Sequence, residues 1–83
     1  MKKRLIDKIA EQLKESNPEQ IITVDSFSDN SACWIDIRPK QRSLDKGYYY
    51  FQVLTFNGKG SKVTDVITYK STIEIQEDEE QLT

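Results

Sequence analysis

The stretch Gly47-Tyr48-Tyr49-Tyr50-Phe51-Gln52-Val53-Leu54-Thr55-Phe56 holds three of the chain's four tyrosines and two of its three phenylalanines. Aromatic and β-branched residues suit a pleated, half-buried surface. The run therefore predicts one long strand, with the rest of the chain arranged around it. Successive strand side chains point to opposite faces. One set is Tyr49, Phe51 and Val53; the other is Tyr48, Tyr50, Gln52, Leu54 and Phe56. Both sets are apolar, so each face needs a cover or a use.

Downstream, Asn57-Gly58-Lys59-Gly60 supplies the residues of a hairpin turn. Residues 61–69 then pair back, with Val63, Val66, Ile67 and Tyr69 as apolar members. The adjacent apolar pair at 66–67 predicts a bulge or register change there. Thr72-Ile73-Glu74-Ile75 alternates again, as a continuation of that strand or a short fifth one.

Upstream, residues 32–38 alternate most cleanly. Cys33, Ile35 and Ile37 point one way; Trp34, Asp36 and Arg38 point the other. Pro39 ends the strand, because proline cannot donate to a ladder. A polar loop follows to Lys46, made basic by Arg38, Lys40, Arg42 and Lys46. Residues 20–27 are β-rich, and Ser28-Asp29-Asn30-Ser31 is a turn, since Asp and Asn satisfy backbone groups locally. Residues 2–16 read as an amphipathic helix: Leu5, Ile6, Ile9, Ala10 and Leu13 form one stripe, and Asn17-Pro18 stops it.

The expected fold class is α+β, an N-terminal helix on one face of an antiparallel meander of four or five strands. Residues 1–76 form one domain, and the acidic tail 77–83 is expected to fray. The helix stripe meets Cys33, Ile35 and Ile37, and Tyr49, Phe51 and Val53 are expected on that same face. The opposite face then carries Trp34, Tyr48, Tyr50, Leu54 and Phe56, a candidate interaction surface.

The composition excludes several chemistries. The chain has no histidine and one cysteine, Cys33. That removes the common zinc sets and any intramolecular disulfide. It also removes the usual general base near neutral pH. No metal, cofactor or catalytic residue is expected. Gly58-Lys59-Gly60-Ser61-Lys62 lacks the leading glycine and the Ser or Thr directly after its Gly-Lys pair, so it fails as a phosphate loop. The basic start, Met1-Lys2-Lys3-Arg4, is followed by Asp7 and Lys8, which break the apolar region of a signal peptide. A cytoplasmic location is the expectation, with no membrane association.

Net charge is −2, with 12 Lys and Arg against 14 Asp and Glu. The first functional expectation is a small non-enzymatic module that binds a protein or its own copy through the aromatic face. The second is single-stranded nucleic acid, with bases stacked on the sheet aromatics beside the basic loop. A third is an acidic inhibitor that resembles nucleic acid, from the run Glu74, Glu77, Asp78, Glu79 and Glu80.

Overall fold

The computed structural model describes residues 3–40 and 47–72. Arg42 and Lys46, the strand at 73–75 and the tail at 77–83 lie outside the described residues. Within them the element order is α1 (Leu5–Ser16), β1 (Gln20–Ser26), β2 (Ala32–Pro39), β3 (Tyr48–Asn57) and β4 (Val63–Thr72). The four strands form one antiparallel sheet in the order β1-β2-β3-β4, with the N-terminal helix packed against it. This is the α+β meander expected from the patterning.

The helix starts at Leu5 rather than Lys2, for a reason the pattern does not carry. Arg4 is extended and offers no side-chain cap. The cap comes from the β3–β4 turn: the Ile6 N–H donates to the Gly60 carbonyl at 3.0 Å. That satisfies one of the orphan donors of the first turn. Asp7 in the first turn pairs with Arg4 at 2.9 Å, and Lys14 lies in the last turn, so the charges oppose the helix dipole. At the other end, Asn17 folds back on the Leu13 carbonyl, with its backbone N at 2.9 Å and Nδ2 at 3.1 Å.

Ile6 and Ala10 are buried against Ile22 of β1, Cys33, Ile35 and Ile37 of β2, and Phe56 of β3. Ile9, Leu13, Val24 and Leu54 pack around this cluster. The β2–β3 register pairs Cys33 with Phe56, Ile35 with Leu54 and Ile37 with Gln52. Directly paired residues share a face. The helix side of β3 is therefore Tyr48, Tyr50, Gln52, Leu54 and Phe56, and the open side is Tyr49, Phe51, Val53 and Thr55. This reverses the expected assignment. Phe56 is fully buried rather than a surface residue, Leu54 is packed on the core, and Tyr48 and Tyr50 share the helix side of the sheet. Trp34 stands on the other face, paired with Thr55. The reason is register: a one-residue slip moves every side chain of a strand to the opposite face. In β3, whose two faces are both apolar, hydrophobicity does not choose between them.

The expected bulge at 66–67 is also displaced. The shift lies where Thr55 pairs with Asp65 and Phe56 with Val63, leaving Thr64 as the extra residue. Thr55 and Thr64 then bring their hydroxyls to 3.0 Å. Val66 and Ile67 simply alternate, Val66 across from Leu54 on the helix side and Ile67 across from Val53 on the open side.

Two stability tests follow from this packing. Phe56→Ala removes a fully buried ring and should cost about 3–5 kcal/mol, whereas Tyr50→Ala, at a side chain 56 % exposed, should cost roughly 1 kcal/mol or less. Urea unfolding followed by far-UV circular dichroism measures both, and equal losses would contradict the register. Gly60 has φ +68, and an added Cβ would sit 2.6 Å from Ile6 Cγ2. Gly47 has φ +72 with open space around it. Gly47→Ala should therefore show only the left-handed backbone cost of about 1–2 kcal/mol. Gly60→Ala should exceed it in the same unfolding measurement, because Ile6 and the start of α1 must move.

Candidate interaction face

α1 lies over β1 and β2, and among the described residues no helix lies on the other side of the sheet. On that open side the registers align Ile21, Thr23 and Asp25 of β1 with Arg38, Asp36 and Trp34 of β2. They further align Trp34 and Asp36 with Thr55 and Val53 of β3. Tyr49, Phe51, Val53 and Thr55 of β3 align with Ser71, Tyr69, Ile67 and Asp65 of β4. Phe27 continues this side just beyond β1, and its N–H donates to the Ala32 carbonyl at 3.1 Å.

The rings on this face form two groups. Phe27 and Trp34 meet edge to face with centroids 5.0 Å apart. Phe51 and Tyr69 stack at 5.1 Å with 17° between their planes. Tyr49 and Phe51 are 6.1 Å apart. Between the Trp34 and Phe51 groups runs a shallow groove of about 410 Å³, lined by Phe27, Trp34, Phe51, Val53 and Tyr69 among others. Offset and edge-on ring pairs add stability beyond simple burial, so these contacts hold the groove walls in fixed positions.

Arg38 fixes the polar end of the groove. Its guanidinium donates to both Asp36 oxygens, at 2.7 and 3.2 Å, and to Tyr49 Oη at 3.0 Å. Its Cζ lies 3.8 Å from the Phe51 ring centroid. The hydrogen bond it donates to Asp36, then the charge of that carboxylate and the contact with Tyr49, hold Arg38 above its ordinary pKa against partial burial. One arginine thus joins a carboxylate, a phenol and a ring face, which a planar five-donor group can do and a lysine cannot.

Of the basic residues expected to form one patch, the structure places Arg38 in this clamp. Lys40 is exposed beyond β2, with its backbone N–H bonded to the Glu19 carbonyl. Among the described residues, the strands place Asp25, Asp36 and Asp65 on the open face against Arg38, and Glu19 and Lys40, bonded to each other just beyond β1 and β2, add one charge of each sign.

Sequence reasoning placed Trp34 on the open face correctly with respect to the helix. It missed Phe27 and Tyr69 and assigned Phe51 and Val53 to the core. Phe27 was legible, since it continues the odd-numbered side of β1. Tyr69, Phe51 and Val53 were not, because their side depends on the β2–β3 register.

Among the described residues no cluster of His, Cys, Asp or Glu has the arrangement of a metal site, and no helix is long and apolar enough to cross a membrane. Cys33 is buried, and its thiol donates to the Asn57 carbonyl at 3.3 Å. No protein-family model, curated protein or solved structure matches this chain.

The Arg38 clamp is testable by a double-mutant cycle. Asp36→Asn and Arg38→Lys should show a coupling of about 0.5–1 kcal/mol, the upper end of the range for exposed pairs, because the Arg38 and Asp36 side chains are 35 % and 21 % exposed and the geometry is two-pronged. The Lys3–Glu11 pair, with both side chains more than half exposed, should show a smaller coupling in the same denaturation experiment. The reverse order would mean that the clamp does not stiffen the face.

Proposed function

We propose that this protein is a small non-enzymatic interaction module, and that its docking face is the sheet side opposite α1. The observation that supports this most is the groove between Trp34 and Phe51. It is walled by rings that hold each other in place and closed at one end by the immobilised Arg38. Rigid aromatic anchors give contact area at low entropic cost, and binding energy at interfaces concentrates on such residues.

The partner class follows from shape and charge. The groove is apolar, and the carboxylates of Asp25, Asp36 and Asp65 outnumber Arg38 around it. A protein segment with an apolar or aromatic anchor flanked by Lys or Arg complements that face. Nucleic acid is the second reading: phosphate binding draws on uncommitted cations, and among the described residues of this side Arg38 is already engaged by Asp36 and Tyr49, which leaves Lys40. The acidic run behind the inhibitor reading lies outside the described residues. The lone, buried Cys33 thiol suits a reducing compartment such as the cytoplasm.

Selection from a random peptide display library on the immobilised protein tests this reading. Enriched peptides should carry an apolar anchor with basic neighbours and should shift Trp34 fluorescence in solution. Trp34→Ala and Tyr69→Ala should each weaken a selected peptide about tenfold or more, as hot-spot truncations do, while Tyr50→Ala on the other face should leave it unchanged. Peptides that ignore Trp34→Ala would overturn the proposal. So would salt-dependent quenching of Trp34 by oligo-deoxythymidylate in the absence of peptide binding, which would instead support the nucleic-acid alternative.

A further inference from the structure

β4 is an edge strand of ten residues, Val63–Thr72, with no strand on its outer side among the described residues. Three of its apolar side chains are exposed: Val63 at 37 %, Val66 at 56 % and Tyr69 at 42 %. Exposed edges are commonly blunted by charged side chains, lysine above all. Of the two charges in β4, Asp65 covers one backbone donor and Lys70 is turned away from the edge. The Lys70 ammonium is drawn inward over the Tyr48 ring of β3, 4.3 Å from its centroid. The Asp65 carboxylate accepts from its neighbour's N–H, Val66, at 2.8 Å. β1, the other edge, is shorter at seven residues and carries α1 packed across it.

From these observations we infer that β4 pairs antiparallel with β4 of a second copy of this chain, about a twofold axis at Thr68, to make one continuous eight-stranded sheet. An antiparallel twofold pairing keeps the two open faces on the same side, so each residue must meet one of its own parity. Centring on Thr68 sets Thr68 against Thr68, Ile67 against Tyr69, Val66 against Lys70, Asp65 against Ser71 and Thr64 against Thr72. Thr–Thr and β-branched–aromatic pairs are among the favourable cross-strand combinations, and like charges directly opposite are avoided. The second copy's Ser71 hydroxyl can take the Asp65 carboxylate and release the Val66 N–H to the new ladder. Centring on Ile67 instead sets Asp65 against Tyr69 and Thr64, the bulge residue, against Lys70. On the open face the Thr68 register places Tyr69 and Ile67 of both copies at the centre, beside the two Phe51–Tyr69 stacks. The pairing uses the strand edge and does not depend on peptide binding in the groove.

Sedimentation equilibrium of the full chain over a wide concentration range tests the pairing, with two variants reading the register. The weight-average mass should rise with concentration from 9.7 kDa towards twice that value. Val66 is exposed, so Val66→Glu and Val66→Lys should both fold, which circular dichroism verifies. In the Thr68 register, Val66→Glu meets Lys70 twice across the axis and Val66→Lys meets it with like charge. Self-association should differ about tenfold or more between them at low salt, with the glutamate variant tighter. A strict monomer at every concentration would overturn the pairing. Equal weakening by the two substitutions would overturn the register and the proposal with it.

Discussion

The contact between Ile6 and Gly60 is the constraint on which the other features depend. The Gly60 carbonyl caps the Ile6 N–H, and the Ile6 side chain occupies the space that a Cβ at position 60 would need. The first turn of the helix is thereby fastened to the β3–β4 turn, which is distant from it in sequence. Ile6, Cys33 and Phe56 then close into one buried layer. With Phe56 held there, every other side chain of β3 has its face assigned.

A helix is about 10–12 Å across with its side chains, and neighbouring strands lie about 4.8 Å apart. One helix therefore covers roughly two strands of four. α1 covers β1 and β2. On its own side it leaves Tyr50 and Val66 exposed, and on the other side Ile21, Phe27 and Tyr69. Among the described residues, the groove beside Trp34 and the unpaired edge of β4 are consequences of the same shortage of cover. They differ in kind: the groove offers apolar walls held by ring contacts, and the edge offers unpaired backbone.

The aromatic content of the open face makes both consequences coherent. Phe51 touches Arg38 on the β2 side and Tyr69 on the β4 side, so the groove and the edge are mechanically joined through one ring. The Asp36–Arg38–Tyr49 cluster keeps a charged group within an apolar surface by giving it partners in fixed geometry, which is the condition under which such a group is tolerated.

The sequence by itself determined the element order, the helix stripe and the β2 faces, because each of those signals is local. Apolar residues at helical spacing from Leu5 to Leu13 and strict alternation from Cys33 to Arg38 admit one reading each. It also determined the absence of histidine and of a second cysteine, and with them the chemistries that need such groups. Tertiary structure alone decided which side of β3 is core. Tyr48 to Phe56 is apolar on both sides, so hydrophobicity does not choose, and the connection from β2 is long enough to permit either parity. The choice fell to the pairing of Phe56 with Cys33 beneath Ile6. That contact joins three segments distant in sequence, and no local pattern encodes it.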